Sequence, residues 1–153
     1  MLYEQPAGEV IEPWLDYNGH LSVPRYFDAI MGSVNDWFDF LGLGETYRAE
    51  ENHSMFTVQS HWTYLRELKL GDPLRVSIQM VKVAQNKIQY LVALYHQQQN
   101  YLAATAEFLV IHVDMESRQA APFSPQKYAF LDKIFEQHSD VELSQYSGGI
   151  RLR

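Results

Sequence analysis

Residues 16–26 read Asp-Tyr-Asn-Gly-His-Leu-Ser-Val-Pro-Arg-Tyr, an acidic residue in a short polar turn followed at once by a helix start. Pro24 suits the first turn of a helix, because its missing N–H would be unpaired there in any case. Apolar residues then recur at helical spacing up to a predicted stop at Gly42: Phe27, Ile30, Met31, Val34, Trp37, Phe38 and Leu41. Asp16 is therefore expected beside the positive end of a helix, where free backbone N–H groups can hold an oxyanion. This pairing suits acyl transfer.

Composition narrows the class of protein. The chain has 153 residues, enough for one domain with a substantial core, and a formal net charge of −7. That charge argues against a nucleic-acid module and against binding to an anionic membrane surface. Because the chain has no cysteine, disulfides, thiolate catalysis and cysteine-ligated zinc are excluded. The first five residues lack a signal-peptide pattern, and no apolar run approaches the ~18 residues that span a bilayer, so a cytoplasmic location is expected.

The rest of the chain is read as one strand before the helix and four after it. An edge strand is expected from Gly8 to Leu15, and a loop from Glu45 to His53. The next strand, Met55 to Leu65, is expected to place on one face Phe56, Val58, Trp62 and Tyr64. Later elements are strands from Leu74, from Ile88 to Gln97 and from Tyr101 to Val113, and a helix from Ser124-Pro125. Short hairpin connections then predict an α+β fold, a curved antiparallel sheet of five strands wrapped around the long helix.

Three groups of residues resemble the hotdog-fold acyl-CoA thioesterases, in particular the 4-hydroxybenzoyl-CoA thioesterase-like branch. The first group is Trp14, Asp16, Gly19, His20, Arg25 and Tyr26. The second is Tyr64-Leu65-Arg66 leading to Gly71-Asp72, and the third is the run from Val113 to Arg118. Two positions depart from the family pattern: Ser22-Val23 stands where many members have two asparagines, and Trp14 where many have a second aspartate. The resemblance covers roughly Val10 to Pro125. Since residues 139–153 are polar and contain glycine, we expect a hotdog domain at residues 1–138 and a polar tail at 139–153.

The resemblance also implies the chemistry. Asp16 would attack the thioester carbonyl or activate a water as general base, and the sequence does not choose between these roles. Backbone N–H groups around Val23 would polarise the carbonyl, while Asn18 and His20 would orient Asp16 or the water. The alternative is that Asp16 and Asn18 merely form the turn and that His20 packs behind it. No metal or prosthetic group is needed, and the other histidines show no metal-ligand spacing: His53, His96, His112 and His138.

Substrate contacts are expected from residues near the turn and on the second strand, namely Tyr17, Tyr26, His61, Thr63 and Arg66. His61 and Thr63 are placed on the polar face of that strand. Because the family's site lies at a subunit boundary, they would reach the Asp16 site of a partner subunit; the alternative is a solvated strand face. Four cations are candidates for the phosphates of coenzyme A: Arg66, Lys69, Arg75 and Lys82. The runs 16–20 and 56–61 also resemble thioesterases of carnitine breakdown, which act on betainyl-CoA. Aromatic residues can cage its quaternary ammonium group, although a core role is the better explanation for most of them taken singly.

A homodimer or homotetramer is expected, with sites between subunits, because paired subunits would cover the edges of the sheet. Two other functions remain open at this point. One is a hotdog dehydratase, which would need a histidine and a carboxylate working as a pair. The other is a non-catalytic module that binds acyl-CoA and has no use for Asp16. The acyl group, and whether coenzyme A or a carrier protein bears it, are left open by the sequence.

Overall fold

The computed structural model describes residues 2–138 and 149–150. In chain order, its helices and strands are β1 (Tyr3–Glu9), α1 (Tyr26–Phe40), α2 (Glu45–Glu51), β2 (His53–Tyr64), β3 (Pro73–Val83), β4 (Lys87–His96), β5 (Leu102–Asp114), β6 (Gln119–Ala120) and α3 (Pro125–Gln137). The strands form one sheet in the order β1-β3-β4-β5-β2, with the short β6 beside β5, and every pair is antiparallel. Helix α1 lies against the inner face of this sheet. The predicted α+β hotdog arrangement is confirmed.

Helix α1 begins and ends at the predicted signals. A 3-10 turn, Val23–Arg25, contains Pro24 and leads directly into the helix. The buried face carries Ile30, Val34 and Trp37, which are at most 5% exposed. The helix stops at Gly42, whose φ of +70° lets Leu43 N–H reach back to Phe38 O at 2.9 Å.

A chain of aromatic rings fixes α1 against the sheet. Trp37 packs on Tyr90 of β4 with ring centroids 4.9 Å apart, and Tyr90 stacks on Phe108 of β5 at 5.1 Å. Phe108 meets Trp62 of β2 edge-on at 5.9 Å. Aromatic pairs of this kind add about 0.5–1.5 kcal/mol each beyond the area they bury. Trp62 also lies 6.3 Å, between ring centroids, from Tyr26, so the same chain of rings reaches the start of α1.

Two predicted elements are misplaced. The first strand is Tyr3–Glu9, not Gly8 to Leu15, because Pro13 opens a 3-10 turn at Glu12–Trp14 that ends the extended chain. The predicted loop from Glu45 to His53 contains helix α2, seven residues long. That helix ends at Asn52, whose φ of 53° lies in the left-handed region that Asn tolerates.

The predicted hairpin between the second and third strands is also wrong. Strand β2 pairs with β5 at the edge of the sheet, whereas β3 pairs with β1 and β4. Residues 65–72, which we call the crossing segment, therefore run across the end of the sheet. The segment passes beside the Asp16 turn, where Leu21 N–H donates to Leu68 O at 2.8 Å and His20 forms an isolated β-bridge with Lys69.

Strand β2 carries a bulge that changes its predicted faces. The pairing with β5 shifts between Thr57 and Gln59. Because of this shift, Met55 and Thr57 face α1 together with Trp62 and Tyr64, while Phe56 lies opposite Ile111 on the outer face. The predicted grouping of Phe56 with Trp62 is therefore corrected.

Most of the predicted tail, residues 139–148 and 151–153, lies outside the described residues. Ile150 is described and is 6% exposed. Its N–H donates to the Glu107 carboxylate at 3.0 Å, on the outer face of β5.

Candidate active site

Asp16 sits in a tight turn between Leu15 and Leu21, which form an isolated antiparallel bridge. Asp16 N–H donates to His20 O at 3.0 Å, and Gly19 N–H donates to Asp16 O at 3.0 Å. Gly19 has a φ of +81°, a conformation that residues with a Cβ rarely adopt. The backbone of the turn is therefore closed by its own hydrogen bonds.

The two carboxylate oxygens of Asp16 have different surroundings. Oδ1 accepts a hydrogen bond from Asn18 N–H at 2.8 Å, an Asx-turn that orients the side chain. Among the described residues, Oδ2 has no hydrogen-bond partner. One oxygen therefore builds the turn, as the alternative interpretation of Asp16 expects, while the other is unpaired among the described residues and borders open space.

The carboxylate borders a cavity of about 290 Å³ at the start of the helix. Its wall comprises Asp16, His20, Leu21, Val23, Tyr26, Tyr64, Leu65, Arg66 and Glu67. Within the described ranges no acceptor is found for the Val23 N–H, whereas the Arg25 and Tyr26 N–H groups are bonded to Ser22 O and Val23 O. Pro24 has no N–H to offer. Val23 is therefore the free backbone donor at the positive end of the helix.

The charges around this cavity come mainly from the crossing segment. Glu67 faces His20 Nε2 at 3.5 Å and Lys69 Nζ at 3.6 Å, with its own side chain 51% exposed. The Arg66 guanidinium lies 4.0 Å from the centre of the Tyr101 ring and, in the described part of the chain, forms no ion pair. Burial, and then the neighbouring Tyr64, Tyr101, Asp16 and Glu67, raise the pKa of Tyr26, so its ring stays neutral.

The predicted site residues separate into three groups. Five of them line the cavity: Asp16, His20, Val23, Tyr26 and Arg66. Asn18 acts through its backbone N–H, and Tyr17 projects from the turn with 99% exposure.

His61 and Thr63 are not brought to this cavity. They lie opposite Glu107 and Thr105 on the outer face of the sheet. Trp62 and Tyr64, which alternate with them along β2, face α1 instead. A Cβ on Gly149 would come within 2.6 Å of the His61 ring, so that ring already packs against the described end of the chain.

Glu67 was not predicted. Its neighbours Arg66 and Lys69 were considered only as cations for phosphate, and Glu67 reaches the cavity through the unexpected course of the crossing segment. Of the four cations considered for coenzyme A phosphates, Arg66 and Lys69 border an adjoining cleft of about 160 Å³. Arg75 is instead bonded to Glu4 at 2.9 Å and to Asn100 at 2.6 Å.

A larger cavity of about 1010 Å³ lies at the opposite end of α1 and contains a different set of groups. His112, 1% exposed, donates from Nδ1 to Ala121 O at 2.8 Å, so its Nε2 accepts from the Tyr47 hydroxyl at 2.9 Å. Lys127 Nζ donates to Leu41 O and Gly42 O at the end of the helix. These polar groups are hydrogen-bonded to one another or to backbone carbonyls, whereas one Asp16 oxygen is unpaired among the described residues. No cluster of three or more potential metal ligands occurs in the described residues.

Comparison with known proteins points to one family. A family model described as the thioesterase-like superfamily matches residues 13–131. A betainyl-CoA thioesterase of Pseudomonas aeruginosa is 27% identical over 148 residues, which cover 97% of this chain and 91% of the relative. An L-carnitine dehydrogenase/betainyl-CoA thioesterase of Rhizobium meliloti is 28% identical over 135 residues, or 88% of this chain. The chain spans about a quarter of that second relative's length, 27%.

Solved structures share the whole architecture. A putative thioesterase of Pseudomonas putida KT2440 is 27% identical, with a TM-score of 0.78 over 100% of this chain and 97% of the other. A Staphylococcus aureus protein solved in complex with CoA has a TM-score of 0.86 at 21% identity, over 100% of this chain and 96% of the other, which establishes likeness of fold. In the part of this chain that is described, no helix is long and apolar enough to cross a membrane.

Proposed function

The chain belongs to the thioesterase-like superfamily, and from that premise we propose that it hydrolyses an acyl-CoA thioester to the free acid and coenzyme A at the Asp16 cavity. One observation carries the proposal. The Asp16 carboxylate is held by one oxygen while the other is free, beside the free Val23 N–H at the start of α1. A nucleophile or base and an oxyanion donor thus border the same cavity, which is what acyl transfer requires. A module that only binds acyl-CoA has no use for this pairing.

The proposed reaction needs few groups, because a thioester is already activated. The Val23 N–H and the positive end of the helix stabilise the negative charge that develops on the carbonyl oxygen. Either Asp16 attacks the carbonyl carbon, expels the thiolate and leaves an anhydride that water hydrolyses, or Asp16 takes a proton from the attacking water. In a single turnover in ¹⁸O-water, unlabelled acid establishes the anhydride route, whereas labelled acid fits the general-base route or an anhydride that water attacks at the acyl carbonyl. In the anhydride route the first acid released carries an unlabelled oxygen from Asp16 when water attacks the Asp16 carbonyl.

For the acyl group we propose a short chain with a positive charge, as in betainyl-CoA. The names of the relatives suggest it, and the cavity supports it. Tyr26 and Tyr64 meet edge to face with centroids 4.9 Å apart, so aromatic surfaces of two orientations line the wall. The carboxylates of Asp16 and Glu67 border the same space. Aromatic faces and carboxylates both attract a quaternary ammonium group, and about 290 Å³ leaves no room for a long fatty chain in one subunit.

Arg66 and Lys69 are proposed to bind the coenzyme A arm, because they border the cleft that continues from the Asp16 cavity. Their role depends on charge, since phosphate and carbonyl oxygens prefer such donors. Tyr17 is proposed to cover the bound thioester from the exposed turn. The cytoplasmic location remains a prediction.

We propose further that two copies pair through β2. This strand is at the edge of the sheet and exposes Phe56 and Val58 at 38% and 48%. An antiparallel pair would bring the Met55 end of one β2 beside the Tyr64 end of the other, so each Asp16 cavity would adjoin the partner's groove between α1 and α2. Sedimentation equilibrium distinguishes a dimer from a tetramer, and a monomer at micromolar concentration would contradict the pairing.

Thiol release from a panel of acyl-CoAs tests the function. The panel contains betainyl-CoA, its uncharged isostere 3,3-dimethylbutanoyl-CoA, 4-hydroxybenzoyl-CoA and fatty acyl-CoAs. Asp16→Asn keeps an oxygen for the Asx-turn but loses the carboxylate, so we expect kcat to fall at least about 100-fold. The matched control is Asp114→Asn, because Asp114 Oδ1 accepts Glu116 N–H at 2.9 Å in an equivalent turn away from the cavity. Turnover unaffected by Asp16→Asn would refute its role, and no turnover with retained binding would indicate a binding module.

A further inference from the structure

Tyr101, which precedes β5, contacts two consecutive residues of the crossing segment. Its ring lies under the Arg66 guanidinium at 4.0 Å, and its hydroxyl donates to Glu67 O at 2.7 Å. Both of these residues border the Asp16 cavity, whereas Tyr101 itself borders only the adjoining cleft. Tyr101 is thus placed to act on the cavity through its neighbours.

A second layer of contacts holds Tyr101 and the crossing segment in register. The His96 ring lies 5.1 Å from the Tyr101 ring and is 2% exposed. His96 Nδ1 accepts from Gln99 N–H at 3.0 Å, so its Nε2 carries the proton that points to Asp72 Oδ1 at 3.3 Å. The other Asp72 oxygen accepts from Lys69 N–H at 2.7 Å. One network of polar contacts therefore joins the crossing segment, through Asp72 and Lys69, to His96 at the end of β4.

The side chain that these contacts order most is Arg66, through its stack on the Tyr101 ring. A long exposed arginine that forms no ion pair among the described residues would otherwise occupy many rotamers, and ordering it on binding costs conformational entropy. Stacking on an aromatic face restricts the guanidinium while leaving its N–H groups, which lie in the plane of the group, free to donate. The arrangement prepares the cation for an oxygen of the coenzyme A arm before substrate arrives.

We infer that Tyr101 is a positioning residue for thioester binding, which holds the Arg66 guanidinium at the mouth of the Asp16 cavity. The inference rests on the proposed function, because Arg66 must contact the coenzyme A arm. Its consequence is specific: the contribution of Tyr101 to substrate affinity passes through Arg66 and disappears when Arg66 is replaced. A merely structural tyrosine would not show that dependence.

The test measures kcat and KM on the best substrate of the panel and, by calorimetry, the Kd for coenzyme A. Tyr101→Leu removes the stacked ring, and we expect KM and Kd to rise about fivefold with kcat within about twofold of wild type. Tyr101→Phe keeps the ring and should have a smaller effect. Arg66→Lys keeps the charge but loses the flat guanidinium, and should resemble Tyr101→Leu without touching the interior.

The control is Tyr95→Leu, because Arg75 lies over the Tyr95 ring at 4.1 Å in a matching stack on the outer face of the sheet. This variant should leave KM and Kd unchanged. In the Arg66→Gln background, where KM is expected about tenfold higher, Tyr101→Leu should add nothing.

Additive effects in the double variant, or a fall in kcat with KM unchanged, would overturn the inference. If the wild type turns over no substrate but binds coenzyme A, the proposed hydrolysis fails while the Kd values still decide the role of Tyr101. Neither turnover nor coenzyme A binding would overturn both. Thermal unfolding of each variant identifies any that do not fold. If Tyr101→Leu does not fold, the KM and Kd of Arg66→Lys replace it as the test.

Discussion

Acid should destabilise the protein through His112, at the end of α1 remote from Asp16. His112 is 1% exposed and belongs to β5. Its ring joins that strand to helix α2, by accepting from the Tyr47 hydroxyl, and to the segment after β6, by donating to Ala121 O. Burial lowers the pKa of His112 most, and the nearby His53 of β2 and Lys127 of α3 lower it further. The Ala121 hydrogen bond opposes them but does not reverse the direction.

The sign and size of this pH effect on the free energy of unfolding follow from the linkage between folding and proton binding. A histidine with a lower pKa in the folded state binds fewer protons there than in the unfolded state, so stability is full above pH ~6.5 and is lost as the pH falls below it. If His112 stays neutral in the folded protein, the loss between pH 7.5 and 5.5 reaches about 1.4 kcal/mol. For a chain of this length that corresponds to a fall in Tm of about 3–5 °C.

The assay is urea unfolding of wild type and His112→Gln at both pH values. The variant starts from a lower stability because its packing is poorer, but the difference between its two pH values should be smaller by about 1 kcal/mol. His53→Gln is the comparison variant: its ring is stacked on His112 at 5.0 Å but is more exposed, and it is a smaller cause of the lowered His112 pKa than burial, so most of the pH dependence should remain. An equal pH dependence in wild type and His112→Gln would refute the reasoning, whatever the absolute stabilities.

Two further perturbations follow from the site and from the end of α1. Glu67→Gln should lower the preference for betainyl-CoA over its uncharged isostere about threefold. The change is modest because the Glu67 side chain is 51% exposed and solvent screens its charge. The ratio of kcat/KM for the two substrates measures this preference, and an unchanged ratio would exclude Glu67 from cation recognition. Gly42→Ala should cost about 1–2 kcal/mol in urea unfolding, because the φ of +70° disfavours a Cβ, which would also lie 2.6 Å from Lys127 Nζ. Gly32→Ala, in the middle of α1 with open space around it, should instead stabilise the protein by about 0.5–1 kcal/mol, and equal effects of the two changes would contradict the backbone explanation.

Local patterns predicted the elements whose information is local. The apolar spacing from Phe27 to Leu41 and the stop at Gly42 located α1, and the Asp16 turn was placed correctly at its start. Strands β3, β4 and β5 agree with the alternation of their side chains to within two residues. In each case the deciding interactions lie within one turn or one strand.

The sequence could not predict features that depend on distant partners. The separation of β2 from β3 depends on β5 pairing with β2, and alternation within β2 says nothing about which strand it joins. For the same reason the sequence predicted no role for Glu67 or Tyr101. Glu67 lies in the crossing segment and Tyr101 contacts it, so their nearness to the Asp16 turn depends on the course of that segment. The bulge at β2 shifted Phe56 to the outer face, because one extra residue reverses the alternation.

The crossing segment also determines when the site can form during folding. The segment connects β2, which pairs with the distant β5, to β3, which pairs with the adjacent β4. The β3–β4–β5 meander contains the short-range contacts and closes small loops, whereas β2 must wait for β5 and closes a loop of roughly forty residues. Arg66 and Glu67 can reach Asp16 only after that closure. We therefore expect the Asp16 cavity to be among the last parts of the molecule to assemble, after the β3–β4–β5 sheet has formed.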